Sequence, residues 1–233
     1  MHILAFDTCF DAVSVAVARR EAAGVKVLVE RVEARRAGHA ERLMPMLAAV
    51  LEDAGIGFAD VERIAVTEGP GTFTGVRTGI AAARALALAT GRPAVGVGSL
   101  AAIAFAARRQ LAEGLAARPL AVAIAQRPGL VLFQLFAADA VVPRGEPQLM
   151  PPEACAACLP RLTTIIVGSA AAAVLAAGTA GDGTQACLPD AVPRASAVAV
   201  LAADVAPEPP LRPRYLRPPD AKPQAGALAR AAT

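Results

Sequence analysis

The chain has 233 residues, 55% hydrophobic and 18% charged, which indicates a globular fold and excludes a disordered protein. It contains no charge-free apolar run of the roughly 18 residues that a membrane span needs. Asp7 comes too early for the apolar core of a signal peptide, so we expect a cytoplasmic protein. The net charge is +3, but basic residues are scattered and aromatic residues make up only 3%. This composition disfavours direct RNA binding by the chain alone.

The first 55 residues predict three strands and a helix. The segments HILAFDT, VSVAVARR and KVLVERVEA are rich in β-branched residues and have short breaks, which favours an antiparallel meander. In the next segment, HAERLMPMLAAVLEDAGI, apolar residues recur at helical spacing. Gly55 is predicted to end this helix, and Pro45 lies near its front end, where proline is tolerated.

Strands and helices alternate in the following region. Residues 61–67 predict a strand that runs into the glycine-rich stretch EGPGTFTGVRTGI. A helix over 77–89, a strand over 94–97 and a helix over 100–116 are predicted after it. Alternation that follows a meander indicates a mixed sheet with helices packed on it.

A second, smaller unit is predicted from about Arg118. It begins with two strands joined by a turn at residues 127–129, followed by helices over 153–159, after Ser169 and after Ser196, and a strand over 163–167. We therefore divide the chain into an N-terminal lobe (1–117), a C-terminal lobe (118–205) and a proline-rich tail (206–233). The tail cannot form a packed core by itself, and its last dozen residues are expected to be mobile.

Cysteine and histidine give no pattern for a metal site or a hydrolase. Cys155 and Cys158 form a CxxC, but no second CxxC and no histidine pair completes a zinc site. We expect both cysteines to lie on one face of a short helix and to pack as small hydrophobic residues. His2 and His39 are the only histidines, and neither lies near a recognisable nucleophile motif.

Two loops are candidates for phosphate binding. In FDTCFDAVSVAVA, Asp7 ends a strand before a turn to the next strand, but the turn has no glycine and Asp11 adds negative charge. The second loop has three glycines, Gly69, Gly71 and Gly75, before a helix N-terminus, which favours anions. It lacks the Gly-Lys-Ser/Thr of a P-loop. From the residues alone, phosphate binding and a structural turn both remain open.

Five stretches together resemble the bacterial TsaB (YeaZ) family: FDTCFDAVSVAVA, HAERLMPML, EGPGTFTGVRTGIAAARALA, VGVGSLAAIA and PRYLRPPDAK. The resemblance implies an α/β, actin-like ATPase (RNase H-like) fold of two tandem lobes of mixed sheet with flanking helices. It also implies a non-catalytic scaffold that binds the TsaD transferase together with the ATPase TsaE and is needed for threonylcarbamoyl transfer to tRNA. Accordingly we expect no catalytic or metal-binding residue, no tightly bound cofactor, ATP and magnesium used by the complex rather than by this chain, and tRNA contact only through the complex.

The resemblance also implies where the partner binds. Family members associate through the first two helices, and the same surface is expected to form a homodimer when the chain is alone. The expected interface residues are Leu43, Met46, Leu47, Val50 and Leu51 on the first helix and Gly79, Ala82, Ala83 and Leu86 on the second. The expected vestigial phosphate loops comprise Asp7, Thr8, Gly69, Gly71, Thr72 and Gly75.

Two departures from relatives of the family concern possible function. Where TsaD-like sequences have two metal-binding histidines, this chain has Ser99 and Ile103. Where many TsaB relatives have an acidic residue after the first strand of the second lobe, it has Ala125. The alternative functions are an ATP-binding transferase or weak ATPase that uses Asp7 and the glycine loop, and, with less support, a glycoprotease-like peptidase.

Overall fold

The computed structural model describes residues 1–138, 142–178, 183–208 and 210–216. Its first sheet has five strands in the order β3-β2-β1-β4-β5. The first three strands form the predicted antiparallel meander, and β4 and β5 continue the sheet in parallel with β1. The strands are β1 His2–Asp7, β2 Ala12–Glu21, β3 Gly24–Ala34, β4 Arg63–Gly69 and β5 Ala94–Gly98.

The second sheet repeats this plan in the order β10-β9-β6-β7-β8. Here β6, β7 and β8 pair antiparallel, and β9 and β10 extend the sheet in parallel with β6. The strands are β6 Leu120–Arg127, β7 Leu130–Phe136, β8 Gln148–Met150, β9 Ile165–Val167 and β10 Gln185–Cys187. The α/β class with two tandem mixed sheets is therefore confirmed.

Seven helices flank the sheets in the described residues. Helices α1 and α2 pack on one face of the first sheet, where their buried leucines and valines join the largest core cluster. Within the described residues, no helix is both long and apolar enough to cross a membrane. The helices are α1 His39–Asp53, α2 Phe73–Thr90, α3 Ser99–Gln110, α4 Glu113–Ala116, α5 Pro152–Ala157, α6 Ala171–Ala176 and α7 Ala195–Ala202.

Helix α7 packs away from the lobe in which the sequence places it. It lies in the predicted 118–205 lobe, but its residues Ala195, Val198 and Ala202 pack with Ile3 and Ala5 of β1 in a separate core cluster. Alanine-rich faces allow a helix to approach a sheet closely, which explains how this short helix covers the second face of the first sheet. The chain therefore returns to its N-terminal half before the tail.

Several predicted bounds were wrong. The helix expected over 100–116 ends at Gln110, because Leu111 adopts an extended conformation and α4 is a separate turn. Helix α2 begins at Phe73, four residues earlier than expected, because Thr72 caps it. Strands β8 and β10 were not predicted, since three residues give too little periodicity. The predicted mobility of the last dozen residues concerns a segment outside the described residues.

Candidate functional site

The glycine loop packs directly on the turn between β1 and β2. The backbone N–H of Thr72 donates a hydrogen bond of 2.8 Å to the carbonyl oxygen of Cys9. In the opposite direction, the Thr8 hydroxyl donates a buried hydrogen bond of 2.7 Å to the carbonyl oxygen of Gly75. The two predicted phosphate loops are therefore bonded to each other.

The glycines are needed for this contact. A Cβ atom on Gly71 would lie 2.6 Å from the Cys9 carbonyl oxygen, and one on Gly75 would lie 2.0 Å from the Thr8 carbonyl oxygen. Gly69 is the residue of this loop with positive φ, at 103°. Close packing of one backbone on another therefore explains Gly71 and Gly75, while backbone conformation explains Gly69.

The first turn of α2 is already capped from within the chain. Thr72 is the N-cap, and its hydroxyl oxygen accepts a hydrogen bond of 3.2 Å from the N–H of Gly75. The N–H of Thr72 itself donates to the Cys9 carbonyl oxygen. Two of the groups that a helix N-terminus offers to an anion are therefore occupied.

Asp7 is completely buried at the end of β1. Its Oδ1 accepts hydrogen bonds from the Thr67 hydroxyl at 2.5 Å and from the Cys9 N–H at 3.2 Å. Its Oδ2 is also buried and has no hydrogen-bond partner in the described part of the chain. Burial raises the pKa of the Asp7 carboxyl from 3.8 to about 6, although the hydrogen bond from Thr67 opposes this shift.

Cys9 and His39 do not form a hydrogen bond with each other, because each has a different partner. The Cys9 thiol is buried and donates to the Thr67 hydroxyl oxygen at 3.1 Å, and burial raises its pKa well above the ordinary value. The His39 Nε2 lies 2.8 Å from the Phe10 carbonyl oxygen. A thiol held protonated in the core is a poor nucleophile, so this arrangement does not favour a peptidase.

The CxxC pair is only partly as predicted. Cys155 is buried, and its burial raises the pKa of its thiol to about 11, whereas Cys158 follows the last turn of α5 and is exposed. The packing role therefore belongs to Cys155 alone. In the described ranges, no group of three His, Cys, Asp or Glu side chains is placed to hold a metal ion.

A cleft of about 820 Å³ lies between the two sheets, and both predicted phosphate loops contribute to its lining. The lining residues include Phe10, Asp11 and Ala12 of the β1–β2 turn, Thr72 of the glycine loop, and Ala125, Gln126 and Ser169 of the second lobe. The Ala125 N–H donates to the Ser169 hydroxyl oxygen at 2.9 Å. Arg194, also at the cleft, is bound to Glu30 at 2.7 Å. Gly69, Gly71 and Gly75 themselves are not among the residues that line this cleft.

Ser99 and Ile103, which stand where TsaD-like sequences have metal-binding histidines, are core residues. Ser99 is buried, and its hydroxyl donates to the Pro70 carbonyl oxygen, which fixes the start of α3 against the glycine loop. Ile103, one turn further along the same helix, is buried in the main core. Both side chains therefore contribute to packing.

The residues expected to contact a partner lie in the core of their own lobe. All five α1 residues, Leu43, Met46, Leu47, Val50 and Leu51, are at most 3% exposed. On α2, Gly79, Ala83 and Leu86 are buried and Ala82 is half-buried. This corrects the assignment, because these side chains cover the chain's own sheet. The predicted interface remains a prediction, and other residues would have to form it.

The outer sides of the same two helices carry exposed apolar residues that the sequence analysis did not select. Leu88 is 88% exposed and Met44 is 46% exposed. Helices α1 and α2 contact each other, so their outer sides belong to one part of the surface. We define the α1/α2 apolar face as Met44, Pro45, Ala48, Ala81, Ala85 and Leu88, all of them exposed.

Residues 210–216, which we call the tail strap, bind across the N-terminal lobe. The Arg214 N–H donates to the Glu68 carbonyl oxygen at 2.8 Å, and the Arg214 guanidinium forms an ion pair of 2.6 Å with the Glu68 carboxylate. Leu211 is buried in the main core, and Arg84 donates to its carbonyl oxygen. The strap fixes the tail beside α2.

Comparison with known proteins gives consistent matches. A family model described as tRNA N6-adenosine threonylcarbamoyltransferase (TsaD) matches residues 27–135. An uncharacterized protein of Mycobacterium tuberculosis is 46% identical over 101 residues, which cover 43% of this chain and 47% of that protein. The tRNA threonylcarbamoyladenosine biosynthesis protein TsaB of Haemophilus influenzae is 37% identical over 46% of this chain and 43% of that protein. The chain thus spans a little under half the length of these curated relatives.

A solved structure matches over a greater length. YeaZ from Pseudomonas aeruginosa superposes with a TM-score of 0.72 and 30% sequence identity. The superposition covers 87% of this chain and 90% of that chain.

Proposed function

The chain belongs to the YeaZ (TsaB) family, and from this premise we propose that it is a non-catalytic subunit of a complex that transfers a threonylcarbamoyl group to a tRNA adenosine next to the anticodon. In this proposal it binds and stabilises a TsaD-type transferase, together with a TsaE-type ATPase. The observation that carries the proposal is the α1/α2 apolar face, which is exposed although both helices already cover their own sheet.

The chemistry of this face suits a helical partner. Ala81 and Ala85 are exposed and small, so a partner helix can approach the backbone of α2 closely. Leu88 and Met44 provide larger apolar side chains that are left in water when the chain is alone. Two helices from each protein would form a four-helix contact. A second copy of the chain could use the same face, so homodimer and heterodimer would compete.

The hydrogen bonds between the two loops support a role without catalysis. Asp7 is buried, and the glycine loop uses its Thr72 N–H and Gly75 carbonyl oxygen for hydrogen bonds to Cys9 and Thr8. ATP and magnesium would therefore act on other subunits of the complex, and tRNA would be modified by the transferase. The weak-ATPase alternative requires these loops to open, since a nucleotide needs backbone N–H groups that face it.

The test of this proposal changes the exposed face and leaves the core intact. We expect Ala85→Glu combined with Leu88→Glu to weaken binding of the host's TsaD-type transferase by about tenfold or more, because buried charge would oppose the contact. Size-exclusion chromatography with light scattering would measure the one-to-one complex. Val142→Glu combined with Leu162→Glu is the matched control, since these residues are 58% and 69% exposed on the second lobe.

Changes at Leu47 or Val50 would not distinguish loss of the partner contact from loss of folding. Both side chains are fully buried, so a charge there would unfold the lobe and remove binding for that reason. Unchanged binding by a folded Ala85→Glu/Leu88→Glu variant would overturn the assignment of this face. Failure of the wild-type chain to bind the transferase at all would overturn the proposed function.

A further inference from the structure

The tail strap brings together aromatic and basic residues that are far apart in the sequence. The Phe73 and Tyr215 rings stack with their centroids 5.5 Å apart and an angle of 26° between them. The Arg77 guanidinium lies 3.6 Å from the Phe73 ring centroid, and its Nε donates to the Tyr215 hydroxyl oxygen at 2.7 Å. The rings are therefore held in place before any ligand binds.

These side chains remain accessible. Phe73 is 48% exposed and Tyr215 is 37% exposed, although they stack on each other. Phe73, Arg77 and Arg84 are spaced by four and seven residues, so they line one side of α2. The strap lies along this side, since Arg84 and Arg77 contact Leu211 and Tyr215. The result is an exposed aromatic stack of Phe73 and Tyr215 with arginines beside it.

The surroundings of the stack are basic. Arg77, Arg84, Arg212 and Arg214 are all exposed. No acidic residue occurs from 73 to 90 or from 210 to 216. Glu68, paired with Arg214, and the exposed Glu208 offset part of this charge. A net positive surface remains beside two aromatic rings.

We propose that Phe73, Arg77, Arg84, Arg212, Arg214 and Tyr215, which we call the strap patch, are an RNA-contacting surface of this chain. Arginines would bind backbone phosphates, and an unpaired base would stack on the exposed aromatic rings. At the strap patch, four arginines and no acidic residue give charge complementarity to phosphate, which favours RNA there, whereas the neighbouring Ala81, Ala85 and Leu88 form the apolar part of α2 that is assigned to the transferase. This inference rests on the proposed function, which supplies tRNA as the RNA.

The test measures RNA affinity separately from partner binding. A fluorescent tRNA transcript is titrated, over a series of salt concentrations, with the full chain alone and with its mixture with the host's TsaD-type transferase. Arg77→Ala/Arg212→Ala is compared with Arg144→Ala/Arg161→Ala, which removes two exposed arginines from the second lobe. Phe73→Leu removes a ring and keeps all charges. Light scattering on the same samples reports transferase binding, and circular dichroism reports folding.

We expect the strap-patch double variant to bind tRNA about fivefold to tenfold more weakly. The slope of log affinity against log salt concentration should be shallower by up to about two, which corresponds to the loss of two phosphate contacts. The control pair should bind as wild type does. Phe73→Leu should weaken tRNA binding with an unchanged salt dependence.

Equal tRNA affinities of the two double variants would overturn the proposed RNA surface and leave the subunit role intact. So would a lack of RNA binding by both the chain alone and its mixture with the transferase. Loss of transferase binding by the strap-patch variant would also overturn it, because the patch would then be a protein contact. If the wild-type chain does not bind the transferase, the proposed function fails, and the titration of the chain alone still decides the RNA contact.

Discussion

Gly75 lies where the glycine loop and the β1–β2 turn are closest. A Cβ atom there would lie 2.0 Å from the Thr8 carbonyl oxygen, and backbone cannot move away as a flexible side chain can. We expect Gly75→Ala to lower the free energy of unfolding by about 2–4 kcal/mol in urea titrations. Gly114→Ala is the control, since nothing lies within 4 Å of its added Cβ atom and alanine is the better helix former. Equal stability of the two variants would contradict the close packing.

Asp7 gives a pH-dependent prediction. Its folded-state pKa of about 6 lies above its ordinary value of 3.8, so its contribution to stability is fully present below pH 3.8 and is lost as the pH rises through 6. We expect Asp7→Asn to raise the free energy of unfolding by about 2–3 kcal/mol at neutral pH and to change it little near pH 4. Thermal unfolding over this pH range measures the difference. A variant less stable than wild type at neutral pH would show that the carboxylate charge is compensated.

The secondary-structure element in which a residue lies could be predicted from the sequence, but the solvent exposure of its side chain could not. The sequence correctly placed Asp7 at the end of a strand, because β-branched residues alternate before it. Its burial depends on the packing of β4 beside β1, which brings Thr67, 60 positions away, against the carboxyl. A contact at that separation leaves no local pattern.

At the scale of elements, the periodicity of apolar residues identified helix α1, but it did not show which side of the helix packs on the sheet and which side is exposed. The spacing of Leu43, Leu47 and Val50 correctly indicated an apolar side, which the structure packs on the sheet. Periodicity alone cannot distinguish an internal contact from a partner contact. The exposed Leu88 and Met44 lie outside the main apolar stripes, so they gave no periodic signal.

The tail strap shows that the composition of a short segment does not predict whether the segment packs against the rest of the protein. Proline-rich sequence cannot form its own core, yet residues 210–216 use the core of the first lobe. We expect Leu211→Ala to lower the free energy of unfolding by about 2–3 kcal/mol, because Leu211 is only 7% exposed. Leu216→Ala, at an exposed residue of the same strap, should change it by less than about 0.5 kcal/mol. Urea unfolding of both variants would show whether the strap contributes to the core, and equal values would contradict it.

At the scale of the whole molecule, the two sheets share one strand order and one pattern of parallel and antiparallel pairing. The sequence indicated two lobes, since it predicts adjacent strands that begin near residues 3 and 120. It did not indicate that α7 returns to the first sheet, because an alanine-rich helix carries little information about which sheet it covers. Together these features leave the outer sides of α1 and α2 as the apolar surface for a partner.

We propose that this chain acts by binding a transferase and not by its own catalysis. The most direct test is tRNA modification reconstituted from the host's TsaD-type transferase and TsaE-type ATPase, the threonylcarbamoyl donor and tRNA, with and without this chain. We predict that modification requires the chain, persists with Asp7→Asn, and falls with Ala85→Glu/Leu88→Glu in proportion to the loss of transferase binding. Modification that proceeds equally well without the chain, or that is lost in a folded, transferase-bound Asp7→Asn variant, would contradict the claim.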